Sequence, residues 1–309
     1  MLEKILETEI YRVKLPVPFP LKYINSYVTV DEKGWYVIDT GINYPEGRDA
    51  WDKVALELGL KWENLKTIYL THYHPDHYGL AGYLQQKSRA RVYMAPQEFT
   101  AARGFFVKDI DETYPKFAEF YLQAGVPEEK NQEILFHTTK NREMTAPHPE
   151  VTFIAPGQKV PFGKYLLTTY FHPGHSPSHL TLHLEELGLL FSGDHLLERI
   201  SSNISYWPMY TGQNPLQDYF KSLEALKNLK VDLVLPGHGS PFTDMLGRID
   251  ELFAHHEERL KEIKKLSSEG LNPYEITLKI FGENLSPHEI RFAVAEVIAH
   301  QIYLKNQRT

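Results

Sequence analysis

The chain contains no cysteine. That absence removes disulfides, thiolate nucleophiles and every cysteine-ligated zinc or iron–sulfur site, so any bound metal must be held by histidine and carboxylate. No apolar run reaches the ~20 residues that a membrane-crossing helix needs, and no membrane association is expected. The opening segment Met1 to Glu9 leads directly into strand-like sequence and lacks the basic start and apolar stretch of a secretory signal, so a cytoplasmic protein is expected. A basic surplus is missing as well. Forty acidic against 33 basic residues give a net charge of −7, which offers no broad attraction to nucleic acid phosphates or to an anionic membrane. Serine-nucleophile elbows, phosphate loops and dinucleotide fingerprints are also absent. What is present is 42% apolar residues over 309 positions, enough for a substantial core and against a disordered or fibrous class.

Strand-like runs alternate with helical patterns through the first two thirds. Ile10 to Leu15, Ser26 to Val30 and Trp35 to Ile38 read as strands, followed by a helix near Arg48 to Leu58. Lys66 to Leu70 is a short apolar strand, His77 to Gln86 a helix and Arg91 to Met94 a strand, which is a β-α-β rhythm. Residues 96–141 interrupt it with two helical patterns, in which Tyr114, Phe117 and Tyr121 fall at helical spacing, and read as an inserted lid. Strands resume at Tyr165 to Phe171, His179 to Leu184 and Leu189 to Phe191, then a helix over Pro215 to Leu229 and a strand at Asp232 to Leu235. From Phe242 strand signals vanish. Ile249, Leu252, Phe253, His256, Leu260 and Ile263 form one helical stripe, and Ser286-Pro287-His288-Glu289 is a capping box that opens another helix. The expected division is a catalytic domain over 1–241 and a helical appendage over 242–309.

The chemistry concentrates in Thr71-His72-Tyr73-His74-Pro75-Asp76-His77, directly after a strand. Residues two apart in an extended segment point the same way, so His72 and His74 can reach one metal. Pro75 ends ladder pairing, which frees Asp76 and His77 to aim at a second metal at the mouth of the next helix. One loop cannot close two sites. Three later strand ends supply further donors: His175 in Phe171-His172-Pro173-Gly174-His175, Asp194 in Ser192-Gly193-Asp194-His195, and His238 in Pro236-Gly237-His238-Gly239. Each carries glycine beside or near the donor, which permits a tight turn and a close approach.

In this order, H-x-H-x-D-H, P-G-H, S-G-D and P-G-H-G, the motifs resemble the metallo-β-lactamase superfamily over about residues 10 to 242. The overall likeness is to its glyoxalase II-like branch with a helical C-terminal extension. The resemblance implies an α/β fold, a four-layer αββα sandwich. It implies His72, His74 and His175 as ligands of a first metal, Asp76, His77 and His238 of a second, and Asp194 as the bridging carboxylate. Two divalent ions follow, zinc first, with iron or manganese as alternatives. Val37-Ile38-Asp39-Thr40-Gly41 resembles the family's first motif, in which the aspartate supports a ligand histidine; a turn-capping Asp39 is the alternative. His179 is either a support of the site or a strand-start residue, and His172 and His195 are expected as non-ligands. His183, His255, His256, His288 and His300 are expected as ordinary strand or helix residues.

Such a centre activates water without serine or cysteine, with Asp76 orienting it and taking its proton. The expected activity is hydrolysis of an ester, thioester or lactone on a small molecule. The alternatives are a ribonuclease or phosphodiesterase, which the acidic charge opposes, and an iron-dependent sulfur dioxygenase. Phe19, Tyr23, Phe105, Phe106 and the loop from Tyr206 to Tyr210 are expected either to wall an apolar pocket or to pack as core. The C-terminal helices could complete that pocket, mediate a homodimer or cover a sheet.

Overall fold

The computed structural model describes residues 2–18, 21–108, 110–209 and 213–307; Phe19 and Tyr210 lie outside them. Seven strands form the first sheet in chain order: β1 (Leu2–Lys4), β2 (Ile10–Pro16), β3 (Tyr23–Asp31), β4 (Gly34–Ile38), β5 (Leu65–Tyr69), β6 (Arg91–Met94) and β7 (Val151–Phe153). The pairings from β1 to β4 are antiparallel and those from β4 to β7 are parallel. A parallel step needs a crossover, and each one here runs through helix. These are α1 (Pro45–Glu57), then α2 (Pro75–Tyr78) with α3 (Ala81–Ser88), then α4 (Pro96–Ala102), α5 (Ile110–Gln123) and α6 (Glu128–Glu143).

The second sheet holds β8 (Lys159–Phe162), β9 (Tyr165–Phe171), β10 (Leu180–Leu184), β11 (Leu189–Gly193) and β12 (Leu233–Pro236), side by side in that order. Only β11 and β12 run parallel, joined through α7 (Pro215–Leu226). Three helices follow: α8 (Met245–Ser268), α9 (Pro273–Phe281) and α10 (Pro287–Asn306).

Alternation within the strands stacks these layers. In β4, Val37 packs outward with Trp51 and Val54 of α1 and Leu84 of α3, whereas Ile38 packs inward with Phe162 and Phe191 of the second sheet. In β11, Leu190 faces Leu216 and Leu223 of α7 and Ile249 of α8, while Leu189 and Phe191 face the first sheet. Both faces of the central strands are therefore dry, which is why they read as unbroken apolar runs. The result is the expected sandwich of helix, sheet, sheet and helix. Across the middle, Tyr27 and Phe162 meet Phe191 edge-on at centroid distances of 5.2 and 5.5 Å. Tyr27 and Tyr69 reach across to donate hydroxyl hydrogen bonds to the carbonyls of Pro236 (2.8 Å) and Pro161 (2.6 Å).

Several elements differ from expectation. The helix expected over His77 to Gln86 is two pieces, broken at Gly79-Leu80. The inserted segment has three helices and a π-helical turn at Arg103–Val107 rather than two helices. Strands β1, β7 and β8 and helix α9 have no counterpart among the expected elements. Strands β1 and β7 are edge strands of three residues with polar or exposed faces, too short to show a period. Helix α9 does carry a signature, a capping box from Asn272 to Glu275 with Pro273 at its first position. Helix α10 begins at the expected box: Ser286 accepts from Glu289 N–H at 3.3 Å, and Glu289 accepts from Ser286 N–H at 2.8 Å. Its residues Ile290 and Val294 enter the same buried cluster as Tyr73, Phe105 and Trp207.

Phe162 is fully buried between the sheets and remote in sequence from the motif loops. Phe162→Ala is expected to cost about 3–5 kcal/mol of unfolding free energy, read by urea or thermal denaturation. A loss below about 1 kcal/mol would mean that the inter-sheet layer is not packed as described.

Candidate metal centre

All four motif loops leave strands at one rim of the sandwich, where the two sheets meet. Residues 72–77 follow β5, Asp194 follows β11 and His238 follows β12, while His175 sits in the turn between β9 and β10. The chain bends between Thr71 and His74 and then enters α2 with Pro75 at its first position, and His77 and Tyr78 donate backbone hydrogen bonds to the His74 carbonyl at 3.0 Å. The His238 loop is tied to the other sheet. Asn25 in β3 donates its backbone N–H to the Gly237 carbonyl at 2.7 Å and its amide to the Pro236 carbonyl at 2.9 Å. Glycine is required at 237: a Cβ there would strike Asp194 Oδ1 and come within 2.7 Å of His77 Cε1.

All seven expected donors converge. His175 Nε2 lies 3.3 Å from His72 Nε2 and 3.1 Å from His74 Nδ1. On the other side, His238 Nε2 lies 3.1 Å from Asp76 Oδ2, and His77 Nε2 lies 3.9 Å from the same oxygen. Asp194 sits between, 3.3 Å from His77 Nε2, 3.5 Å from His238 Nε2 and 3.9 Å from His175 Nε2. Three groups have ligand atoms within 4.8 Å of one another: His72, His74 and His175; His72, His77 and Asp194; and Asp76, His77 and His238.

Most of the imidazoles are oriented from behind. His72 Nδ1 meets Thr71 Oγ1 at 3.0 Å, His77 Nδ1 meets Asp39 Oδ2 at 2.7 Å, His175 Nδ1 meets the Asn203 carbonyl at 2.9 Å, and His238 Nδ1 meets the Tyr23 carbonyl at 2.9 Å. A proton held on Nδ1 leaves the Nε2 lone pair aimed into the cluster. Asp39 also accepts from the Thr71 backbone (2.8 Å) and hydroxyl (2.7 Å), from a left-handed backbone at φ +60°. Of the two alternatives for Asp39, the structure shows support of His77; none of its side-chain hydrogen bonds lies within its own turn. His179 accepts the Asp194 backbone N–H at 3.1 Å and stacks on His72, so it braces two donors at once.

The donor set fits divalent cations. His77 Nε2 and Asp194 Oδ1 are buried without a hydrogen-bond partner, and ring nitrogens of His72, His74 and His175 face one another, an arrangement that a cation between them satisfies in full. Burial and facing imidazoles hold His72 and His74 well below the usual range, so they are neutral. Burial would raise Asp76 and Asp194, but the imidazoles around them win: Asp76 titrates at about 2 and Asp194 stays well below the usual carboxylate range. Burial works to lower His77 and His238, yet the carboxylates, Asp194 foremost, carry both above the usual range, so an arriving cation must displace their protons.

A cavity of about 520 Å³ opens on His74, Asp76, His175, Asp194 and His238. Its apolar wall is Leu21, Leu197, Ile200, Phe281, Leu285 and Phe292. Of the two alternatives for the aromatic residues, core packing holds for Phe105, Phe106 and Trp207: they line a small recess behind His74, and Phe105 stacks on Tyr73 at 5.0 Å. Those rings satisfy one another in the core. The C-terminal segment completes the pocket instead, and His288, expected as an ordinary helix residue, is part of its wall.

The sequence profile described as the metallo-beta-lactamase superfamily matches residues 20–238. The chain belongs to that superfamily. A metallo-beta-lactamase family protein from Thermus thermophilus is 33% identical, with a TM-score of 0.84 over 97% of this chain and 94% of that one. A beta-lactamase domain protein from Burkholderia ambifaria is 29% identical, with a TM-score of 0.86 over 98% and 89%. Among curated relatives, a probable metallo-hydrolase of Bacillus subtilis is 24% identical over 88% of this chain and 85% of its own. An atrochrysone carboxyl ACP thioesterase of Aspergillus fumigatus is 22% identical over 80% of this chain and 61% of its own. The His and Asp cluster is thus the candidate metal site of a superfamily hydrolase.

One residue of the site carries no motif. Glu98 in α4 is fully buried and clamps two donor loops of this superfamily member together: it accepts from Tyr73 N–H (3.1 Å), between His72 and His74, and from Ser176 hydroxyl (2.7 Å) and Ser178 N–H (2.6 Å), beside His175. Burial pushes Glu98 up to about 7 against these three hydrogen bonds. The folded protein therefore holds the proton more tightly than the unfolded chain. That stabilisation is complete below the unfolded value of 4.5 and is lost as pH rises through about 7, by up to about 3 kcal/mol. Urea unfolding between pH 5 and pH 8 should show a smaller loss of stability in Glu98→Gln, which has no proton to release, than in the wild type. Equal losses would contradict the assignment.

Proposed function

We propose that the protein is a binuclear metal-dependent hydrolase of a small-molecule ester, thioester or lactone. The observation that carries this reading is the convergence of seven His and Asp donors, five of which line a cavity with an apolar wall. His72, His74 and His175 would hold one cation, Asp76, His77 and His238 the other, with Asp194 between them. When bound, two divalent cations supply Lewis acidity and make water acidic enough to act near neutral pH. Zinc suits a set of imidazoles and carboxylates without thiolate, and iron and manganese accept the same donors.

The chain's own residues do the rest. Asp76 is ionised and its side chain is 14% exposed, the donor carboxylate most open to the cavity, so it is placed to orient water and accept its proton. Leu197, Ile200 and Phe292 exclude bulk water and seat an apolar acyl or ring moiety, which a polyphosphate would not match. The resemblance to the Aspergillus thioesterase supports the same reading, since a thioester carbonyl needs the same attack as an ester or lactone.

Asp76→Ala is expected to lower turnover of a panel of esters, thioesters and lactones about 10²-fold or more while leaving the melting curve of the sandwich essentially unchanged. Near-normal turnover in that variant would contradict the role of Asp76. Cleavage of labelled RNA by the wild type, with no turnover of the panel, would contradict the substrate class.

A further inference from the structure

Arg291 in α10 is among the residues that line both the cavity over the His and Asp cluster and the small recess behind His74. Aromatic faces hold it: the guanidinium carbon lies 4.4 Å from the ring centre of Phe292 and 5.5 Å from that of Trp207. Among the described residues it has no ion-pair partner and no hydrogen bond, and its Nε is buried and unpaired. Its charge interacts with the hydroxyls of Tyr121, Tyr73 and Tyr114 and with His288 rather than with a carboxylate. Two glutamates share the cavity wall but are engaged elsewhere. Glu296 accepts from Asn203 at 3.0 Å, and Glu289 caps Ser286.

A half-buried cation with a buried, unpaired Nε and no counter-ion is a poor structural element, and cation–π contact offsets only part of its desolvation. Stacking on ring faces fixes the guanidinium and leaves its N–H edges for a planar acceptor, the geometry in which arginine binds carboxylate or phosphate. We infer that Arg291 binds an anionic group, carboxylate or phosphate, carried by the substrate at a distance from the scissile carbonyl. This rests on the hydrolase reading for the word substrate. The site thereby selects an acyl compound with an apolar middle, against Leu197 and Ile200, and a negatively charged end.

The test uses the metal-loaded full chain and probes that differ at one end. Succinanilic acid, its phosphonate counterpart and butyranilide have the same acyl length and an anilide in place of the ester, so calorimetry reads binding without turnover. Wild type should bind an anionic anilide about tenfold or more tightly than butyranilide, and the better of the two anions identifies the source. In Arg291→Gln that preference should fall to within about twofold, with butyranilide binding unchanged; in Arg291→Lys it should be intermediate, since lysine offers charge without the fork. No preference in the wild type, or one that survives in Arg291→Gln, would overturn the inference. If Arg291→Gln does not fold, a preference in Arg291→Lys equal to the wild type would do so. Phenyl hemisuccinate and phenyl butyrate are followed for turnover in parallel. Anion preference with neither ester cleaved would sink the hydrolase reading and leave the anion site standing.

Discussion

Everything at the rim of the sandwich follows from one electrostatic constraint. Five imidazoles and two carboxylates are brought within a few ångströms of one another and largely out of water, with ring-nitrogen and carboxylate lone pairs facing inward. Without positive charge between them such groups repel and lose hydration together. Part of that charge can be protons, and His77 and His238 hold theirs strongly for this reason. Divalent cations satisfy the whole set at once, since they use every inward lone pair rather than a few.

The fold's task is to hold that arrangement against its own repulsion. It does so largely from behind, through groups most of which lie outside the cavity wall. Asp39 fixes His77 and the start of the motif loop, Tyr23 and Asn25 anchor the His238 loop to the opposite sheet, and His179 ties Asp194 to His72. Glu98 fastens the two loops that carry His72, His74 and His175. Asn203 links this support to the C-terminal helix: its carbonyl orients His175 and its amide is held by Glu296 of α10. Helix α10 therefore shapes the cavity and steadies a donor, which couples the substrate side of the site to the metal side.

Most of the centre was legible in the sequence because its chemistry is local. His72 to His77 is a strand end, a proline and a helix start, and alternation along an extended chain forecasts which side chains point together. The later donors each stand next to glycine at a strand end, as in Gly193-Asp194 and Gly237-His238. What escaped has no local signal. Glu98 is one glutamate in the first turn of a short helix, and only the tertiary approach of Ser176 and Tyr73 gives it a role. Arg291 and His288 sit in a helix whose sequence shows its cap and stripe but not which cavity it borders. The choice between pocket wall and core for the aromatic residues stayed open in the sequence because large rings near a site pack against each other as readily as against a ligand, and Phe105, Trp207 and Tyr73 do the former.

The central claim, that this donor set binds a pair of cations, is tested most directly by metal stoichiometry. Chelator-treated protein is dialysed to equilibrium against zinc and analysed for bound metal per chain. The account predicts two per chain for the wild type and about one for His238→Ala, which removes a donor from one group only. One or none in the wild type, with all seven donors intact, would contradict it.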